Sequence, residues 1–231
     1  MEASRLAELL QPFLEGPGSA EPFSLSEIQL INISMYIDIL LRWNARMNLT
    51  AVRRPEDIVT RHFGESLFAA RHLFPRGAEG AGEPKGTGGL LRVFDVGSGA
   101  GFPGLPIKIW APHIELTLIE SNHKKATFLR EVVRALGLAN TSVFSGRAED
   151  LAKSGADADV VTLRAVERFE SVLPIAASLV RPGGRLALLI GRGQVDQAGE
   201  LTPNFEWNLP MNVPVSDVRA LLIGRKVATV G

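Results

Sequence analysis

Asp95, Gly97, Gly99 and Gly101 stand at alternate positions where the apolar run Leu91-Arg92-Val93-Phe94-Asp95-Val96 ends, and Phe102-Pro103-Gly104 leads from them into a helical pattern. Without a Cβ, a backbone can press against a ligand, and the positive φ values of a tight strand-to-helix turn cost little. Binding of a nucleotide-like molecule at Gly97 to Gly101 is the chemistry this spacing offers. Two ligand classes compete for it. A dinucleotide pyrophosphate favours G-x-G-x-x-G, and the third glycine of that pattern is replaced here by Phe102. Asp95 two residues before the first glycine, with Gly101 directly after Ala100, matches S-adenosylmethionine instead. That molecule carries no phosphate, so the following helix need not present its N-terminus to an anion.

Glu120 closes the next apolar run, Ile114-Glu115-Leu116-Thr117-Leu118-Ile119, about 20 residues past the glycines. A carboxylate there can accept hydrogen bonds from both ribose hydroxyls of an adenosine, and it is also good chemistry for opening a helix. Ala148 and Glu149 follow a third strand pattern. Their backbone amides can meet an adenine edge, or Ala148-Glu149-Asp150 can simply start a helix with its acids on the favourable end of the dipole. Arg164 ends the fourth strand, the usual place for reacting groups in such folds. It can grip guanine O6, or it can pair with Glu167 or Asp159. No Asn/Asp-Pro-Pro-aromatic loop follows, so a site for an exocyclic amine is not expected. Guanine N7 has an in-plane lone pair and needs no general base, and a site for it requires alignment and groups that hold O6 and phosphate.

The 231 residues include no cysteine, which excludes disulfides, thiolate metal sites and a covalent Cys adduct on a pyrimidine ring. No metal ligand set is expected. The 25 basic and 25 acidic residues balance, so a polyanion must be met by a local patch. Arg42, Arg46, Arg53, Arg54, Arg61 and His62, with His123, Lys124 and Lys125 near the rim, are the candidates, against the alternative of an ordinary solvated face. No apolar run is long enough to span a bilayer, and Met1-Glu2-Ala3-Ser4-Arg5 lacks the order of a signal peptide. Cytoplasmic residence follows as an expectation.

These residues need elements to hold them. Ser24-Leu25-Ser26-Glu27 resembles a capping box, after which Ile28, Ile31, Met35 and Ile39 recur at helical spacing as far as Trp43. Residues 55–74 suggest one or two further helices, ended by Pro75. Residues 76–89 hold six glycines and one proline, the composition of a flexible connection. The division expected is a helical extension over 1–75, a Gly-rich connection over 76–89 and a nucleotide-binding unit over 90–231. In that last unit strands at 91–96, 115–119, 141–144, 158–163 and 185–190 alternate with helices such as 124–136 and 170–180. Residues 205–209 and 218–223 are expected to form a closing antiparallel pair. The fold class is α/β, a doubly wound, mostly parallel, seven-stranded sheet.

Together these features resemble the GidB/RsmG methyltransferases, which modify guanine N7 in the 530 loop of bacterial 16S ribosomal RNA. The likeness runs from about Ile28 to the C-terminus. It rests on Trp43-Asn44-x-x-Met47-Asn48-Leu49-Thr50, on Arg61-His62-x-x-Glu65-Ser66 and on the glycine turn from Asp95 to Gly104. The resemblance implies a Rossmann-like class I S-adenosylmethionine-dependent methyltransferase, monomeric, with 16S rRNA or a small-subunit intermediate as partner and no obligate protein partner. It implies cofactor contacts at Gly97, Phe102, Ala148, Glu149 and Arg164, with Glu120 on the ribose, which join Gly99 and Gly101 of the turn. It implies RNA contacts at Arg61, His62, Arg192 and Arg219, to which the basic rim adds Lys124. Glu65 replaces the family's usual Asp, Leu163 precedes Arg164 where the family has Ser, and Arg192 replaces a Lys. The alternatives are a methyltransferase for a small molecule or another RNA, and a cofactor-binding regulator without turnover.

Overall fold

The computed structural model describes residues 1–15, 24–75, 90–165 and 168–228. The Gly-rich connection at 76–89 and Glu167 lie outside them. Five parallel strands form one half of the sheet: β1 (Arg92–Val96), β2 (Glu115–Ile119), β3 (Thr141–Phe144), β4 (Ala158–Arg164) and β5 (Val180–Gly191). The other half consists of β6 (Phe205–Trp207), β7 (Met211–Asn212) and β8 (Arg219–Lys226). The order is β3-β2-β1-β4-β5-β8-β6, and β8 runs antiparallel to β5, β6 and β7. The expected seven strands are therefore joined by an eighth of two residues, β7, at the side of β8. The antiparallel closing pair is present as β6 and β8.

Strand side chains alternate between two cores, as the period of two demands. Val93, Leu116, Leu118, Val160, Leu189 and Leu221 face one cluster, while Phe94, Val96, Val161, Leu188 and Leu222 face the other. Helices α5 (Gly104–Trp110) and α6 (His123–Ala135) cover the first face, and α7 (Ala148–Lys153), α8 (Phe169–Ser178) and α9 (Val195–Leu201) cover the second. The N-terminal helices α1 (Ala3–Leu14), α2 (Glu27–Asn44), α3 (Pro55–Ile58) and α4 (Glu65–Leu73) join the first cluster. A single apolar mass thus runs from Leu6 on α1 to Leu118 in the sheet.

Helix α1 has no counterpart among the expected elements, although Leu6, Leu10 and Phe13 recur at helical spacing and are buried. The capping box lies two residues later than expected. Ser26 Oγ accepts from the Gln29 amide at 3.3 Å and Gln29 Oε1 accepts from the Ser26 amide at 3.0 Å. Gln29 Nε2 also donates to the Ile109 carbonyl at 2.7 Å, a tertiary contact that Glu27 does not make. On α2 the expected inward stripe is largely the outward one. Ile28, Ile31 and Met35 are exposed, and Ile33, Tyr36, Ile37 and Leu40 are buried with Ile39. Apolar residues occur on most sides of α2, so periodicity offers more than one stripe, and packing on the sheet selects among them.

Between α3 and α4 the chain widens into a π-helical turn, Val59–Gly64, which carries Arg61 and His62. Such turns are rare and are frequent at functional sites. Gly64 lies against the Phe13 ring, and a Cβ added there would come within 2.5 Å of Phe13 Cε2. A helical Gly→Ala change ordinarily stabilises, but this overlap reverses the sign. Gly64→Ala should cost about 1–3 kcal/mol in urea denaturation, and Phe13→Leu in the same chain should recover part of it. A stabilised Gly64→Ala protein would contradict the packing of α1 on the π turn.

Candidate active site

Two adjoining cavities open where the strand order passes from β1 to β4, beyond the carboxyl ends of the strands. Doubly wound sheets bind ligands at this switch point. The smaller, about 220 Å³, is lined by Gly97, Glu120, Ser121, Ala148 and Glu149 among others. The larger, about 490 Å³, is lined by Thr50, Arg61, His62, Glu65, Gly99, Phe102, Arg164 and Arg219 among others. Gly97, Glu120 and Arg168 line both, which makes them one crevice.

The glycine turn forms its floor. Gly97, Gly99 and Gly101 take φ values of 67°, 57° and 87°, in the left-handed region. The amides of Gly97 and Ser98 both donate to the Ile119 carbonyl, at 2.9 and 3.1 Å, so the turn is tied to the end of β2. A Cβ on Gly99 would meet nothing nearer than the Gly97 carbonyl at 3.7 Å. It would occupy the crevice itself. Gly101 differs, because its added Cβ would strike the Tyr36 hydroxyl and Leu105, and it lines neither cavity. Its bare Cα serves packing behind the turn.

Glu120 accepts from the Gly99 amide at 2.8 Å through Oε2 and from the Asn122 amide at 2.7 Å through Oε1. The carboxylate is 6% exposed, spans both cavities and keeps further lone pairs for a ligand. Asp95, by contrast, is fully buried and turned away from the crevice. Register pairs it with Thr162 on β4, whose hydroxyl donates to Asp95 Oδ1 at 2.7 Å, and the Gly104 amide donates to Oδ2 at 3.3 Å. Burial pushes the Asp95 carboxyl up to about 6 in spite of these donors. The conspicuous Asp of the motif therefore fastens β1 to β4 and to the start of α5.

Tyr36, the chain's one tyrosine, has no place among the expected site residues. Its hydroxyl, from α2, donates to the Ala100 carbonyl within the glycine turn. Its ring stacks on Phe102 at 5.3 Å and 6°, and the His62 imidazole stacks on Phe102 at 4.8 Å. Phe63 stands edge-on to both Tyr36 and Phe102. Sequence offered no signal for this pile, because its members come from α2, the π turn and the loop after β1.

Arg164 does not pair with Asp159, and Glu167 lies outside the described residues. Asp159 pairs with Arg181 at 2.6 Å, whereas Arg164 Nη2 pairs with Glu65 Oε2 at 2.8 Å. Both side chains are less than a tenth exposed. The same Nη2 donates to the Arg61 carbonyl at 2.5 Å and lies 3.2 Å from His62 Nδ1. Nε is buried and unpaired among the described residues. Ala165, next along the chain, is held at φ 48°, a strained conformation for a residue with a Cβ.

His62 Nδ1 adjoins this cluster, and its Nε2 lies 2.7 Å from Thr50 Oγ1, which accepts from the Val52 amide at 3.1 Å. Desolvation, with the Arg164 charge second, lowers His62 from 6.5 to about 3, so the imidazole is neutral at physiological pH.

Of the remaining expected RNA contacts, Arg61 and Arg219 line the larger cavity. Lys124 does not; its neighbour Lys125 does. Arg192 lines neither cavity and bonds Asn212 Oδ1 at 2.6 Å.

A sequence profile described as "GidB: rRNA small subunit methyltransferase G" matches residues 29–217. The chain belongs to this family. The Ribosomal RNA small subunit methyltransferase G of an Exiguobacterium strain is 40% identical over 173 residues, covering 74% of this chain and 68% of that protein. The protein of the same name from Xylella fastidiosa is 36% identical over 205 residues, covering 87% and 89%. A solved structure described as a predicted O-methyltransferase from Agrobacterium tumefaciens superposes with a TM-score of 0.50 at 24% identity, over 60% of this chain and 75% of that one, which speaks for the fold. As a GidB protein the chain is an S-adenosylmethionine-dependent methyltransferase of class I fold, and its substrate is a guanine of 16S ribosomal RNA.

Two expectations follow from the electrostatics of the crevice. Glu65→Ala leaves a buried guanidinium without its counter-charge and should cost about 3–5 kcal/mol in urea denaturation; a loss below about 1 kcal/mol, the size of an exposed pair, would refute the burial of this pair. For His62, the folded protein binds fewer protons than the unfolded chain between pH 3 and 6.5, so stability falls as pH drops below 6.5. Asp95 acts with opposite sign, because its folded carboxyl holds a proton up to about pH 6 that the unfolded one, at 3.8, has lost. Removing the first contribution with His62→Gln exposes the second. Between pH 6.5 and 5 the parent should lose on the order of 2 kcal/mol relative to the variant. Parallel pH profiles of the two proteins would contradict a neutral, buried His62.

Proposed function

We propose that the acceptor atom is guanine N7 in the 530 loop, and that the crevice aligns it without a general base. The engagement of His62, Glu65, Asp95 and Glu120, the titratable groups described around the reacting end of the crevice, supports this reading. Both His62 nitrogens have polar neighbours, Nδ1 at Arg164 and Nε2 at Thr50. Glu65 is held by Arg164, and Asp95 is buried behind the turn. Glu120 accepts from two backbone amides. An exocyclic amine or a hydroxyl would need a proton taken from it, whereas N7 brings its own lone pair.

S-adenosylmethionine fits the floor of the crevice, where Gly99 leaves the volume of a Cβ open beside a carboxylate. Gly97 and Gly99 would lie against it, Glu120 would hold the ribose hydroxyls, and the amides of Ala148 and Glu149 would face the adenine. When bound, it supplies a sulfonium methyl for in-line displacement. The protein's part is alignment and exclusion of water. Phe102, braced between Tyr36 and His62, forms an apolar wall beside the reacting groups. Arg164 would present its other terminal nitrogen, Nη1, to guanine O6. Arg61, Lys125, Arg168 and Arg219 ring the larger cavity and would hold phosphate. With the substrate in the small ribosomal subunit, the enzyme would work in the cytoplasm; among the described residues no helix is long and apolar enough to cross a membrane.

The decisive assay incubates the protein with methyl-labelled S-adenosylmethionine and small subunits lacking the modification, then cleaves the RNA with borohydride and aniline, which cut at N7-methylguanine. A single new scission in the 530 loop is expected. Label on an exocyclic amine would defeat the N7 reading, and cofactor binding without any label on RNA would favour a regulator. Gly99→Ala, at about 1–2 kcal/mol of backbone strain from its positive φ, should weaken S-adenosylmethionine binding by calorimetry well beyond that loss of stability; unaltered affinity would show that the cofactor lies elsewhere.

A further inference from the structure

A second recess of about 660 Å³ opens where α2 ends and α6 begins, lined by Arg42, Trp43, Arg46, Met47, Lys124 and Glu131, with Ala45 between them. None of these residues lines the methyl-transfer crevice. The volume lies within the range of about 300–1,000 Å³ found for small-ligand sites. Three of its residues are cations, and Arg42, Arg46 and Lys124 have no ion-pair partner among the described residues. The recess has one acid, and it is engaged, since Glu131 Oε2 accepts from the Trp43 indole at 3.0 Å. Asp38, one turn before Arg42 on α2, forms no ion pair with it. The same bond from Glu131 fixes the Trp43 ring, which also packs edge-on against Phe128 at 5.7 Å. Unpaired cations around an immobilised aromatic are the features that hold a nucleic-acid strand, phosphate on the cations and base on the ring.

The recess is joined to the crevice along two segments. The loop after α2 passes from Arg46 and Met47 in the recess to Leu49 and Thr50 in the crevice. On α6, Lys124 faces the recess and Lys125 the crevice.

We infer that this recess is a second RNA-holding site, which grips the phosphodiester backbone of the strand flanking the target guanine and fixes how that strand enters the crevice. The inference rests on the proposed action on small-subunit RNA. It assigns Arg42, Arg46 and Lys124 to substrate affinity, and Trp43 to stacking on a flanking base.

The test compares steady-state methylation of unmodified small subunits by the parent, by Arg42→Gln/Arg46→Gln/Lys124→Gln and by a control of equal charge loss, Arg130→Gln/Arg134→Gln/Lys153→Gln. The recess variant should raise KM roughly ten-fold, and the slope of log(kcat/KM) against log[salt] should flatten by up to about 2, the value for three lost contacts to a single strand. S-adenosylmethionine affinity by calorimetry should be unaltered, and the control should behave as the parent. Trp43→Phe, which keeps a ring without the indole N–H, should retain more affinity than Trp43→Ala. An unchanged KM and salt slope in the recess variant, or an equal rise in the control, would overturn the site. Were the parent itself inactive on small subunits, the functional reading would fail and take this inference with it; an active parent with an indifferent recess variant would sink the inference alone.

Discussion

A guanidinium withdrawn from water at the carboxyl end of β4 has to be neutralised, and the rest of the crevice is arranged around how that is done. Arg164 finds its carboxylate on α4, at Glu65, and its further acceptors in the π turn, at the Arg61 carbonyl and His62 Nδ1. A bond of this kind is no great source of net stability, because desolvating both charges offsets most of their attraction. What it supplies is registry. The ion pair ties α4 and the π turn to the carboxyl end of β4, and so holds Arg61 and His62 at the crevice.

The aromatic pile makes the same connection through apolar contact. Tyr36 reaches from α2 to the Ala100 carbonyl and lies flat against Phe102, whose other side meets His62. The glycine turn owes its shape to residues that precede it by some 60 positions, so the N-terminal helices are structural parts of the nucleotide site. Gly101 is bare because the Tyr36 hydroxyl occupies the space a side chain would need. A turn that could be taken for a self-contained loop is held from two directions, by Tyr36 from α2 and by Glu120 from the end of β2.

Charge is distributed with the same economy. The chain is neutral overall, yet cations collect around the larger cavity and the recess beside it, where few acids are free to oppose them. Glu65, Glu120 and Glu131 each have partners in the protein. A polyanion approaching from this side meets a local positive field that net charge does not reveal. Neutral His62 adds nothing to that field and links Arg164 to Thr50 by polar contact on either side of its ring.

Short-range patterns were legible without a structure. The strands at 92–96, 115–119, 141–144 and 158–164 follow from local apolar runs, and the glycine turn with Glu120 follows from spacing, because each depends on residues close together in the chain. The same holds for α6, whose Asn122 cap binds the amides of Lys124 and Lys125 next to it. The inward side of α2, the partner of Arg164, the role of Tyr36 and the separation of Lys124 from Lys125 were not legible. Each is settled by contacts between distant segments: a nearly all-round apolar helix turns whichever stripe the sheet accepts, and a buried arginine takes the carboxylate that folding brings to it. Sequence alone pointed to a nucleotide-like ligand through the absence of side chains at Gly97 and Gly99, and to S-adenosylmethionine through Asp95 and Phe102. Tertiary structure decided which groups surround that ligand, because a buried charge or hydroxyl must find its partner wherever in the chain it lies.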